Sequence, residues 1–151
     1  MDPWAWHQRG QSGDEIQREL PGTAEQLDSV MVFLSSFWAD AGLPPGGQFP
    51  FELSLEELFM NVAMHGSAGA ETPRTVVLAL RADGTTVTTV IEDDGVAFDP
   101  LNAPPPDLES DIEDRPIGGL GVYLVKEMMD RVDYARVDGR NRVTLVKDVA
   151  E

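Results

Sequence analysis

Glu57, Asn61 and His65 recur every four residues in a stretch that is otherwise rich in apolar side chains, among them Leu53, Leu55, Leu58, Phe59, Met60, Val62, Ala63 and Met64. On an α-helix, positions four apart lie near one face and drift by about 40° per step. A polar stripe on a helix this apolar needs partners, because each unpaired buried polar group costs about 1–3 kcal/mol. A nucleotide, a metal ion and water are partners that fit a carboxylate, a carboxamide and an imidazole. Each residue also has a structural reading. Ser54-x-x-Glu57 matches a capping box, which would make Glu57 a helix-start residue if the helix began at Ser54 and not near Phe49. Asn61 could bridge neighbouring backbone, and His65 could simply end the helix.

Two further groupings follow along the chain. Asp93-Asp94-Gly95 stands at the end of a β-branched run, where a carboxylate beside a glycine can accept a hydrogen bond from an exocyclic amine such as adenine N6. A plain acidic turn would look the same. Later, Arg115-Pro116-Ile117-Gly118-Gly119-Leu120-Gly121 leads into an apolar-periodic segment. Glycines at a helix start expose free N–H groups and the positive end of the helix dipole, a cradle for phosphate. No Gly-Lys-Ser/Thr follows, so this is no Walker loop, and the Rossmann glycine pattern is missing too. A lid hinge with no ligand is the alternative.

The elements that must position these groups are legible in outline. Residues 1–14 read as a loose arm and 15–20 as an edge strand. Thr23 is a plausible N-cap for a helix carrying Leu27, Val30, Met31, Leu34 and Trp38, which the Gly42–Gly47 segment ends. A second helix is expected over 49–65, with Gly66 as its stop. Strands at 74–81 and 85–92 form a hairpin around Asp83-Gly84, and strands at 132–137 and 142–149 form another around 138–141. Between the hairpins, the Pro- and acid-rich 100–117 reads as a lid, and 122–131 as a third helix. This order implies an α/β (α+β) two-layer sandwich, with helices on one face of a mixed, mostly antiparallel sheet.

Bulk properties narrow the function. A chain of 151 residues suits one domain, here 15–151. The absence of cysteine excludes disulfide scaffolds, thiolate zinc sites and thiol nucleophiles. Eleven basic against 27 acidic residues give a net charge of −16, a field that repels nucleic acid and anionic lipid and favours basic partners and divalent cations. No apolar run has the length of a membrane span, and no secretory signal opens the chain, so a soluble cytoplasmic protein is expected.

Taken in order, a Glu/Asn helix, a hairpin ending in Asp-x-Gly, a lid, and Gly-x-Gly opening a helix resemble the GHKL ATPases with their Bergerat ATP-binding fold. Within that group the chain is similar to the RsbW-like anti-sigma-factor serine/threonine kinases, through Phe98-Asp99-Pro100 and the Arg115–Gly121 segment. The resemblance implies ATP and Mg²⁺. It implies Glu57 as general base, Asn61 as the Mg²⁺ ligand, and Asp93 with Gly95 as the adenine reader. It also implies Gly119 and Gly121 as lid glycines, Thr144 as the late-strand threonine near adenine, and Arg115 as a lid arginine near the terminal phosphate. Ala97 stands where the family has a second glycine. The implied activity is phosphorylation of a STAS-type anti-anti-sigma protein, alternating with capture of a sigma factor or similar regulator, and dimerisation is expected on the same resemblance. The rival is a nucleotide-gated binding module that sequesters a partner without phosphotransfer. A histidine kinase fits less well, since no phosphoacceptor His region precedes the domain.

Overall fold

The computed structural model describes residues 14–66, 73–102 and 119–150. Five strands form one sheet in the order β1-β2-β3-β5-β4: β1 (Asp14–Pro21), β2 (Thr75–Asp83), β3 (Thr86–Asp93), β4 (Arg131–Val137) and β5 (Arg140–Asp148). Every pairing is antiparallel, so the mixed sheet expected from sequence is antiparallel throughout the described residues. The helices are α1 (Leu27–Asp40), α2 (Gln48–Asn61) and α3 (Gly119–Met128). None of the described helices is long and apolar enough to cross a membrane.

Alternation along the strands decides which face the helices cover. On β2, Val76, Leu78, Leu80 and Ala82 join the main core, as do Val87 and Ile91 of β3 and Val143 and Leu145 of β5. The opposite face keeps a small apolar patch of Val77, Ala79 and Val90. Both faces of β2 are therefore buried over most of its length, which explains its near-continuous apolar sequence, whereas β5 alternates between core and outer face. From the helices come Val30, Leu34, Phe37 and Trp38 of α1, Phe51, Leu55, Leu58 and Phe59 of α2, and Val125 of α3. Trp38 donates from Nε1 to the Pro44 carbonyl (2.8 Å) and packs its ring 5.6 Å from Phe51, which pins the α1–α2 connection. The second hairpin turns on Asp138 (φ 51°) and Gly139 (φ 77°), the paired positive values of a type I′ turn.

Several boundaries differ from the sequence expectation, each for a local reason. Thr23 precedes a 3-10 turn at Ala24–Gln26, makes no side-chain cap bond to it, and α1 proper starts only at Leu27. Helix α2 starts at Gln48, so Ser54 lies well inside it and donates to the Pro50 carbonyl (2.7 Å). The capping-box reading of Glu57 is thereby removed. The same helix stops being α-helical at Asn61 and continues as a π turn over Val62–Gly66, which carries His65. The third helix opens earlier than expected, on Gly119, because the glycines are its first turn and not a lead-in. Within the expected lid, Pro100–Asn102 forms a 3-10 turn, started by Asp99 Oδ1 accepting from Leu101 N–H (2.8 Å) and tied to α3 by Lys126 Nζ donating to the Leu101 carbonyl (2.7 Å). The remainder of the expected lid and of the N-terminal arm lies outside the described residues.

Candidate functional site

A cleft lies between the end of α2 and the ends of β3 and β5. Leu58, Val62, Ile91, Val96, Pro100 and Val143 make its walls apolar, while Asn61, Asp93 and Asn141 supply polar groups. A mostly apolar slot with a few fixed polar atoms suits a flat heteroaromatic ligand.

Asp93, the last residue of β3, is 7% exposed. Its Oδ1 accepts from Gly95 N–H (2.8 Å) and from Asn141 Nδ2 (3.1 Å), and Oδ2 accepts no hydrogen bond among the described residues. Burial pushes the carboxyl above its ordinary range, and the bonds from Asn141 and Gly95 oppose that push. The neighbouring Asp94 turns outward, and its Oδ1 accepts from Thr75 N–H (2.9 Å), closing the loop onto the start of β2. Ala97 is exposed and does not adopt positive φ, so the backbone at this point does not call for the family's glycine.

Asn61 ends α2 at the cleft wall. One turn earlier, Glu57 is half-buried and projects toward the first turn of α3. A methyl group placed on Gly121 would lie only 2.6 Å from Glu57 Oε1, with Cδ and Oε2 closer still. The carboxylate thus rests directly on the Gly121 backbone, a spot that glycine alone leaves open. Burial raises its proton affinity above the ordinary glutamate value, and the adjacent Glu56 charge adds to the rise. A carboxylate with raised proton affinity beside a cleft is a stronger proton acceptor than a solvated one. His65 is exposed, its ring 5.8 Å from that of Phe98, which lines the cleft.

The structure therefore brings Asn61 and Asp93 to one cleft, with Gly95 bonded to Asp93 behind it, and sets Glu57, Gly119 and Gly121 together where α2 meets α3. Arg115 lies outside the described residues. Thr144 does not join them: it pairs with Val90 and faces the opposite side of the sheet, in a shallow groove with Arg81, Thr88 and Arg142. The β5 residues facing the cleft are Asn141 and Val143. The alternation in Arg142-Val143-Thr144-Leu145 carried that signal, since the apolar odd positions mark the core face and Thr144 falls on the even one.

Among the described residues no three His, Asp or Glu side chains cluster as a metal site. Asn61 offers a single neutral oxygen at the cleft. That donor set fits Mg²⁺, which keeps several waters and is held largely by substrate phosphates, better than a cation caged by protein alone.

The family model for the histidine kinase-like ATPase domain matches residues 20–147. Serine/threonine-protein kinase BtrW of Bordetella bronchiseptica is 32% identical over 103 residues, covering 68% of this chain and 72% of BtrW. Serine-protein kinase RsbW of Bacillus cereus is 23% identical over 130 residues, covering 83% of this chain and 80% of RsbW. Among solved structures, the RsbU and RsbW domains of a Mycobacterium tuberculosis protein superpose with a TM-score of 0.62 at 16% identity, over 91% of this chain. This chain spans 33% of that longer one. The histidine kinase domain of a blue-light activated enzyme from Erythrobacter litoralis superposes with a TM-score of 0.53 at 13% identity. A family model covering most of the sequence, a 32% identical kinase matched over two thirds of the chain, and a sheet-and-helix layout shared with both solved structures lead to one conclusion: the chain belongs to the histidine kinase-like ATPase domain family.

Proposed function

We propose that this protein is an ATP-dependent serine/threonine protein kinase of a cytoplasmic partner-switching system. In this reading it phosphorylates a STAS-type anti-anti-sigma protein and, in alternation, holds a sigma factor or similar regulator. The observation that carries the reading is the placement of Glu57. A half-buried carboxylate of raised proton affinity lies against Gly121 at the start of α3, one helical turn from Asn61 and the Asp93 cleft. Relatives named as serine and serine/threonine kinases support the same reaction.

In this mechanism the open Oδ2 of Asp93 accepts the adenine amine, and the apolar walls, Ile91 and Val143 among them, hold the ring. The free N–H groups of the first turn of α3, at Gly119 and Gly121, face the phosphates, and the family resemblance gives Arg115 the role of partner to the terminal one. Asn61 would ligate Mg²⁺, which would supply positive charge to neutralise the phosphates. Glu57 takes the proton of the acceptor hydroxyl as that oxygen bonds to the γ-phosphorus and the bond from phosphorus to the β–γ bridging oxygen breaks, releasing ADP. Such chemistry depends mainly on positioning and electrostatics, so a base held against a backbone glycine is well suited to it. The net charge of −16 fits protein and cation partners better than nucleic acid.

Incubation of the purified protein with Mg²⁺, γ-labelled ATP and a STAS-type partner tests the proposal. Label transferred to a serine or threonine of the partner supports it. Binding of both ATP and partner without transfer would replace the kinase by the sequestering module.

A further inference from the structure

The carboxamide of Asn141 makes four hydrogen bonds, and two of them are to backbone groups whose direction admits no choice. Its Oδ1 accepts from Phe98 N–H (3.0 Å) and from the Tyr134 hydroxyl (2.6 Å). Its Nδ2 donates to the Val96 carbonyl (2.8 Å) and to Asp93 Oδ1 (3.1 Å). A backbone N–H can only donate and a carbonyl can only accept, so Phe98 and Val96 together determine which end of the amide is which. The nitrogen end must then face Asp93. The side chain is 5% exposed, so no bulk water competes for these positions.

Asp93 Oδ1 thus receives two donors, Gly95 N–H and Asn141 Nδ2, while Oδ2 of this cleft-lining residue accepts no hydrogen bond among the described residues. The surrounding loop is held from the same hairpin, because Arg136 Nη1 donates to the Gly95 carbonyl (2.9 Å). Nothing in the kinase reading requires an asparagine at this point of β5, and the residue is distinct from the late-strand threonine suggested by the family.

We propose that Asn141 is the positioning residue that makes the cleft selective for a base with an exocyclic amine. It fastens the loop 94–98 to β5 and turns Asp93 so that a lone acceptor faces the ligand. A base offering an amino donor at that point, as adenine does, is matched. A base offering a carbonyl, as guanine does at the same ring position, meets acceptor against acceptor. This rests on the reading of the cleft as a nucleotide site.

Asn141→Asp tests the proposal with little change in size. It places an acceptor where Nδ2 stood, against both Asp93 and the Val96 carbonyl. Calorimetry with Mg²⁺–ATP and Mg²⁺–GTP is expected to show ATP affinity falling on the order of tenfold or more, the worth of a hydrogen bond to a charged group, with GTP affinity changing far less. The preference for ATP over GTP therefore shrinks, whereas a merely structural role for Asn141 would weaken both nucleotides alike. Asn141→Ser, which removes the reach without adding charge, provides the same measurement if the Asp variant does not fold, and circular dichroism verifies the fold of each. A folded variant that keeps the wild-type ATP-to-GTP ratio overturns the proposal. Wild-type protein that binds neither nucleotide, or both equally, would instead overturn the nucleotide reading of the cleft on which it rests.

Discussion

The carboxylate of Glu57 occupies the space in which a side chain at Gly121 would begin. This contact joins two segments that are far apart in sequence, the polar stripe of α2 and the glycine-rich opening of α3. In the proposed reaction it gives the glycine a role besides exposing N–H groups to phosphate: it leaves room for the Glu57 carboxylate. Gly121→Ala should therefore separate stability from activity. Alanine is favoured over glycine inside a helix by roughly 1 kcal/mol, and the obstructing atoms are the movable end of a side chain, so the melting temperature should hold or rise. Phosphotransfer should fall by at least roughly tenfold as the carboxylate is pushed aside, given general-base contributions of about 10²–10⁴. Equal transfer rates in the two proteins would show that the contact has no bearing on the chemistry.

Acid dependence follows from the same residue. Burial raises the proton affinity of Glu57 above the ordinary glutamate value, so the transfer rate should begin to fall on the acid side at a higher pH than a solvated glutamate would give. The sign for stability is the reverse of that for a paired carboxylate. A raised folded-state pKa means the folded protein binds the proton more readily, so this contribution is present below the ordinary glutamate range and is lost as pH rises through the folded value. Asp93 is shifted in the same direction by burial. Glu57→Gln should accordingly stabilise the protein at neutral pH, with the gain shrinking toward the acid end. Thermal melts of both proteins across pH check this, and a gain that grows on acidification would contradict it.

The adenine assignment rests on Oδ2 of Asp93. Asp93→Asn should reduce ATP affinity by roughly 1.5–3 kcal/mol, the typical worth of a hydrogen bond to a charged group, and leave GTP binding nearly unchanged. Calorimetry on the two nucleotides measures both, and a parallel loss would point to a damaged loop in place of lost recognition.

Thr144 offers a test of sheet parity. It faces the outer groove, whereas Val143 faces the cleft. Thr144→Val should leave ATP affinity within about twofold of wild type, and Val143→Asp should abolish binding by placing a charge in the apolar wall, at a cost well above the few kcal/mol of a buried neutral group. An effect of Thr144→Val comparable to that of Val143→Asp would mean the face assignment of β5 is wrong.

Much of the fold was legible because its signals are local. The β-branched run of 86–92, the glycine at 84 and the Asp138-Gly139 pair all act through neighbouring backbone, and the hairpins lie within a residue or two of where composition placed them. The stripe of Glu57 and Asn61 was also visible, since four-residue spacing survives in any α-helix. Other features depend on tertiary packing. The π turn over Val62–Gly66 changes the direction of His65, so extending the four-residue period to it was unsafe. Asn141 was missed because nothing next to it in sequence shows that Asp93, Val96 and Phe98 converge on it from β3 and its loop. The family resemblance points to Thr144, whereas the alternation of β5 points to its neighbours Val143 and Asn141.

Glu57 is proposed as the base in phosphoryl transfer. Glu57→Gln preserves size and hydrogen bonding and removes only the basic carboxylate, so single-turnover transfer from Mg²⁺–ATP to a STAS-type partner isolates its role. The expected result is a rate about 10²–10⁴-fold below wild type. ATP affinity and partner binding should remain within a few-fold, because Asp93, Asn61 and the first turn of α3 make the nucleotide contacts in this account. Transfer by Glu57→Gln at the wild-type rate, in protein that binds ATP and partner normally, would contradict it.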